Sequence, residues 1–285
     1  MQPPPSKRAR FLQMVGAGLL LAGIAVGGTG CTSDSLPAGT YSPFGTIDTI
    51  AASEAPRDSV LSILSRMDRV AFDSAFARLD DYAVTRHVRT EQLDTTGVTT
   101  AYRTLTIRYP PGQVPGTVRQ ADSAGVFQQG GLLSSIAPAE QRTAQPANLA
   151  AQALADQPAY LAPRTQEAYR YALRRDSLLS GTPVFVVEAK ARSKERGRDQ
   201  DIRYARLLIA RGSHALVGLT TTRISRILLF REYSQLTIRL RPTPNGAWLP
   251  HLTRFRAVVD VPLRASRQFR TVSAYYGYEA RNTDS

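Results

Sequence analysis

ILLFREYSQLTIRLRP (residues 227–242), TPNG (243–246) and AWLPHLTRFRAVVDVPL (247–263) are the stretch that decides the fold. Leu236, Ile238 and Leu240 alternate with Thr237 and Arg239, and Phe255, Ala257, Val259, Val261 and Leu263 alternate with Arg254, Arg256 and Asp260. A period of two with one polar side is the pattern of a strand that has one wet face. TPNG between the two runs supplies turn residues. The stretch therefore reads as an antiparallel hairpin.

Similar runs surround it. Upstream lie PVFVVEAKA (183–191), a charged tip RSKERGRDQD (192–201), IRYARLLIA (202–210) and ALVGLTTTRI (215–224); downstream lies QFRTVSAYYGYE (268–279). Further toward the N-terminus, YAVTRHVRTEQL, DTTG and VTTAYRTLTIRYPPG (82–112) read as another hairpin. There Leu105, Ile107 and Tyr109 alternate with Thr106 and Arg108. TVRQADSAGVF (117–127) is a further short strand. AYRYALRRDSLL (168–179) fits a strand by Tyr169, Tyr171 and Leu173, and a helix by its length and arginines.

Strands with polar outer sides need a cover for the inner side. The clearest helix lies at 57–80, where Val60, Leu61, Leu64, Met67, Val70, Ala71 and Leu79 recur at spacings of three and four, with a break near Phe72. Pro56 precedes it, and Asp58 places negative charge in its first turn. Residues 128–164 are different: QQGG, many Ala and Gln, and Pro138, Pro146, Pro158 and Pro163, with NLAAQALA (148–155) a short helix. They read as a long insertion over the sheet. The expected fold class is α+β: a curved, open antiparallel sheet, or half-barrel, covered by the N-terminal helix and the helical insertion.

The 285 residues carry a net charge of +13 and one cysteine, Cys31. A lone cysteine excludes an internal disulfide and Cys-based zinc sites. SKRAR (6–10) is a positive flank, and FLQMVGAGLLLAGIAVGG (11–28) is an apolar run with five glycines, followed by no basic cluster. This is the layout of a secretory signal. Removing it takes away Lys7, Arg8 and Arg10, so the mature charge is 13 − 3 = +10. A basic surface favours anionic partners. Residues 32–55, rich in Ser, Thr, Gly, Pro and Ala, read as a tether.

GGTGC (27–31) resembles the lipobox of bacterial lipoproteins, with Gly28 where that family usually has Leu. The resemblance implies cleavage before Cys31 and acylation of that cysteine; an uncleaved N-terminal anchor helix is the alternative. Thr32, where inner-membrane retention uses Asp, favours the outer membrane. The domain expectation is a signal peptide at 1–30, a tether at 31–55 and one sheet domain at 56–285.

Two stretches carry a second resemblance. LLSGTPVFVVEAKA (178–191) and NGAWLPHLTRFRA (245–257) resemble motifs of the LolA/LolB-like lipoprotein carriers and related outer-membrane lipoprotein-sorting proteins. The order of elements over 57–280 is similar to theirs. The resemblance implies an open sheet closed on one side by helices, around an apolar space for acyl chains. It implies that Trp248, Leu249 and Pro250 sit at a hairpin and serve packing.

No specific catalytic constellation is present. G-x-S-x-G and the phosphate-binding G-x-x-x-x-G-K-[ST] are absent. His87, His214 and His251 are far apart in sequence, and Asp80 and Asp81 stand at a helix end. No catalytic residue, cofactor or metal is expected. KARSKERGRDQDIR (190–203) mixes its charges and reads as a solvated tip, so nucleic acid is not an expected partner. Arg223, Arg226, Arg231, Arg239, Arg254 and Arg256 form a positive plate if they share the outer face. The expectation is a non-catalytic lipoprotein of the bacterial envelope, anchored through acylated Cys31 in the outer membrane and facing the periplasm. It binds an apolar or acyl-chain ligand, or a lipoprotein. The alternative is an anchored structural or interaction module.

Overall fold

Alternating strands cannot leave their apolar sides in water, and ten of them here solve this by joining one sheet. In the computed structural model the described residues are 57–112, 116–127, 158–192, 202–227, 230–243, 245–260 and 266–281. The strands are β1 (Tyr82–Leu93), β2 (Thr99–Tyr109), β3 (Thr117–Ala124), β4 (Tyr169–Leu179), β5 (Thr182–Ala191), β6 (Ile202–Ala210), β7 (Leu216–Ile227), β8 (Phe230–Pro242), β9 (Trp248–Asp260) and β10 (Arg267–Ala280). Their order across the sheet is β3-β2-β1-β10-β9-β8-β7-β6-β5-β4, and every neighbouring pair is antiparallel. β3 and β4 stand at opposite edges, so the sheet is open. Their connection joins the two edges and cannot be a tight turn.

Residues 168–179, which fit either element by pattern, form strand β4 after a 3-10 turn at Gln166–Ala168. A tight turn joins β4 to β5. Ser180 and Gly181 link β4 to β5 with φ of 48° and 82°. A two-residue turn with both φ values positive matches the right-handed twist of a hairpin, and glycine adopts it without strain. Between β1 and β2, Asp94 Oδ1 accepts the backbone N–H of Thr96 (2.8 Å) and of Val98 (2.9 Å) and the Thr96 hydroxyl (2.7 Å).

The helix expected over 57–80 is three pieces: α1 (Arg57–Ser65), α2 (Val70–Ser74) and a 3-10 turn (Ala77–Asp81). The main break is at Asp68, ahead of Phe72. The Asp68 backbone bridges the sheet end, donating to His214 O (2.9 Å) and accepting from Leu216 N–H (2.8 Å). Those bonds replace intrahelical ones, so the helix stops and restarts. The expected signal peptide (1–30) and tether (31–55), most of the insertion (128–157) and most of the charged tip (193–201) lie outside the described residues.

One buried cluster joins Val60, Ile63 and Leu64 of α1 and Phe72 and Phe76 to Tyr171, Val187, Leu207, Leu219 and Ile238 of β4–β8, then to Tyr275 of β10 and Val84 of β1. A continuous core that reaches from β4 round to β1 under short helices requires a sheet bent about its cover. The described end of the insertion contributes to this cover. Tyr160 is fully buried, its ring meets Tyr169 edge-on at 6.2 Å, and its carbonyl accepts the Tyr171 hydroxyl at 2.8 Å. Trp248 is half-buried against this cluster and a second one of Val184, Val186, Ala210, Ala215 and Val217, while Leu249 is fully buried. Both side chains pack within the fold, as the sequence resemblance implies. Leu207→Ala, at the centre of the core, is expected to cost about 2–5 kcal/mol, read from the denaturant midpoints of the two proteins.

Candidate ligand-binding faces of the sheet

Side chains alternate between the two faces, and residues paired across strands share a face. The face under α1 is the inner one. One inner row crosses the whole sheet: Ala121, Leu105, Val88, Ser273, Thr253, Ile238, Leu219, Leu207, Val187 and Leu173, from β3 to β4. Its β4–β8 half is aliphatic and lies in the core. At β9 and β10 it turns to hydroxyls, with Thr253 and Ser273 both buried.

The next inner row, from β2 to β8, reads Arg103, Thr90, Thr271, Phe255 and Leu236. The row beyond, from β1 to β9, reads Gln92, Phe269 and Ala257. Phe255, Leu236 and Phe269 are half-buried. The strongest helix–sheet contacts are of α1 with β4, α2 with β7 and the 3-10 turn with β1. The rows at β8, β9 and β10 therefore combine incompletely buried apolar side chains with polar neighbours. Thr90 and Thr271 share a hydrogen bond of 3.2 Å. Arg86, 2% exposed, donates to the Ser273 hydroxyl (2.9 Å) and lies over the Tyr275 ring at 5.5 Å. This polar seam was not legible in the sequence, because its residues come from three strands and are hydroxyls common in any strand.

The outer face is charged. Arg239, Arg254 and Arg256 share it, as the positive-plate expectation requires. Arg223 does not. It pairs with Ser234, two residues from Leu236, and so sits on the inner face. The side chains of Arg226 and Arg231 lie outside those described. Arg89, Arg174, Arg206 and Arg270 join the plate from other strands. Two buried glutamates hold part of it. Glu188, 2% exposed, accepts Arg206 (Nε 2.8 Å, Nη2 2.6 Å) and the Tyr204 hydroxyl (2.9 Å). Burial pushes Tyr204 up to about 12, so it stays protonated and donates. Glu91 accepts Arg89 and Arg270, and the Arg89 guanidinium lies 4.3 Å from the centre of the Tyr102 ring.

The histidines occupy separate elements. His87 on β1 shares a hydrogen bond with the Thr106 hydroxyl (3.1 Å), and His214 sits in the β6–β7 turn at φ 57°. His251 is half-buried on β9 and held below the usual imidazole range by burial, then by the charges of Arg241 and Arg239. Asp80 and Asp81 are exposed, and their carbonyls accept the backbone N–H of Gly112 and Arg281. Among the described residues no group of three His, Cys, Asp or Glu side chains could hold a metal.

The Glu91 cluster has a defined pH signature. Burial raises its pKa, but hydrogen bonds and charge from Arg89 and Arg270 outweigh burial and lower it from 4.5. A depressed carboxylate contributes stability that is present above its unfolded pKa and lost as pH falls through the folded value. Glu91→Gln is expected to cost about 1–3 kcal/mol at pH 7 and to flatten the stability curve below about pH 4.5. Urea unfolding of both proteins from pH 7 to pH 3 checks this; parallel curves would contradict it.

No family model and no curated protein matches the chain. Solved structures that it is similar to include a DUF1329 family protein from Desulfovibrio piger (14% identical, 81% of this chain and 95% of that one, TM-score 0.29). A putative outer membrane lipoprotein-sorting protein domain from Vibrio parahaemolyticus is another (11%, 80% and 94%, 0.28). A third is a LolA superfamily protein from Nitrosomonas europaea (14%, 78% and 94%, 0.23).

Proposed function

We propose that this chain is an envelope lipoprotein, anchored through acylated Cys31, that binds an apolar or acyl-chain ligand on the inner face of its sheet without catalysis. One observation carries the ligand: Phe255, Phe269 and Leu236 line adjoining inner rows beside the core and stay half-buried. Incompletely buried apolar surface next to a bent sheet suits a flexible hydrocarbon chain. The Thr90, Thr271 and Arg103 side chains on the same rows suit a polar end. The organisation that goes with this reading is a signal peptide at 1–30, a tether at 31–55 and the sheet domain at 56–285, held in the outer membrane and facing the periplasm.

A dansyl-labelled undecanoic acid is the probe for the inner face. The wild type is expected to bind it with a blue-shifted emission, and Phe255→Asp to weaken binding roughly tenfold or more, the loss of one buried aromatic side chain. Unchanged binding in Phe255→Asp, with the fold retained by circular dichroism, would reject this face as the site.

The anchor is tested separately by intact mass of protein recovered from host membranes. A mass of the chain from Cys31 plus acyl groups is expected, and Cys31→Ala is expected to lose both cleavage and acyl mass. An unmodified full-length chain would replace the lipid anchor with an N-terminal helix.

A second reading, an anchored interaction module, is favoured by β3, an edge strand exposed along its whole length. An unpaired edge is a template for another chain. Failure of the wild type to bind the acyl probe would favour this reading over the first.

A further inference from the structure

The outer face holds a groove that the inner-face reading does not use. It lies across β4 to β8, has a volume of about 210 Å³, and its walls include Arg174, Arg206 and Arg239. Val186 and Leu208 form an apolar part of its floor. The outer row here runs Arg174, Val186, Leu208, Gly218, Arg239. Gly218 makes room for the Leu208 side chain: a Cβ there would lie 2.8 Å from Leu208 Cδ1.

The polar balance of the groove is one-sided. Its donors are three guanidiniums and the hydroxyls of Ser177 and Thr220. Its one carboxylate, Glu188, is buried and already accepts Arg206 and Tyr204. Arg174 and Arg239 are exposed and have no hydrogen-bond or ion-pair partner among the described residues. With Arg206 paired to Glu188, Arg174 and Arg239 leave a surplus of two positive charges and of donors. Neighbouring outer rows add Arg254, Arg256 and Lys190. Arginine is suited to oxyanions because its planar fork donates two parallel hydrogen bonds.

We infer that this groove is an oxyanion site for a phosphate ester, with Arg174 and Arg239 binding the phosphate oxygens and Val186 and Leu208 the adjoining carbon chain. Arg206 is held to Glu188 and sets the field. The phosphate has two possible sources, a phospholipid headgroup or a soluble phosphate ester. The site lies on the opposite face from the acyl-binding rows and does not rest on them.

The test uses the full chain carrying Cys31→Ala, with and without Arg174→Gln/Arg239→Gln. Both arginines are exposed, so the double variant is expected to fold normally. The probes are glycerol 3-phosphate, by calorimetry, and vesicles of phosphatidylcholine with or without phosphatidylglycerol, by co-sedimentation. Comparing the two vesicle types cancels any contribution of the N-terminal apolar segment. Glycerol 3-phosphate binding that the double variant weakens about tenfold or more supports the site with a soluble ester. Binding confined to phosphatidylglycerol vesicles, and lost to the same extent in the double variant, supports it with a headgroup. No binding to either probe overturns the inference. So does binding that the double variant leaves unchanged, or that Arg254→Gln, outside the groove, lowers as much: each would mean diffuse charge and no site. Dansyl-undecanoic acid binding is expected to be the same in all these variants, so failure here is separable from failure on the inner face.

Discussion

The pairing of β1 with β10 is the contact on which the rest depends. β1 and β2 are a local hairpin, and β4 to β10 are a meander in which each strand pairs with the next. The two halves become one sheet only where β1 meets β10, from Tyr82↔Ala280 to Leu93↔Gln268. Past a register shift at Ala83–Thr85 the pairing is regular to Leu93, so a slip of one residue there would move the β1 side chains to the other face. Val88 would leave the core, Arg86 would leave Ser273, and Glu91 would turn away from Arg270. Those three contacts, apolar, hydroxyl and ionic, all specify the same register.

That register also divides the chemistry. On the inner face, aliphatic residues fill the β4–β8 half and hydroxyls take over at β9 and β10. Thr90 and Thr271 bond each other there, and the buried Ser273 hydroxyl accepts from Arg86. Close packing is therefore completed at one end of the face and polar pairing at the middle, with Phe255, Phe269 and Leu236 between them. With no disulfide available, the helical cover is held by packing and by backbone bonds such as those of Asp68.

The architecture was largely legible in the sequence because its signal is local. Alternation at 236–240 and 254–260 assigned Leu236, Ile238, Phe255 and Ala257 to the inner face and Arg239, Arg254 and Arg256 to the outer one, as the structure has them. The turn residues Asp94 and Gly246 marked hairpins that form. What was not legible depends on pairing between distant strands. The side of Arg223 is not fixed by its own segment, TTTRIS, which has no apolar alternation; its partner Ser234 fixes it. The break at Asp68 comes from the β6–β7 turn, about 150 residues away in the chain, and no helix rule contains it. The Arg86–Ser273 and Glu91–Arg270 contacts require the same long-range register.

The two buried glutamates explain how so basic a face is held in order. Arginines repel when they share a row, and their long stems are mobile in water. Glu91 fixes Arg89 and Arg270, and Glu188 fixes Arg206, each from a position buried beneath the guanidiniums. A buried carboxylate alone is costly, so each glutamate depends on its arginines as much as they depend on it. The pairing neutralises part of the plate and leaves Arg174, Arg239 and Arg254 as its outward charge. The pleat thus keeps an apolar face and a cationic face a single side chain apart.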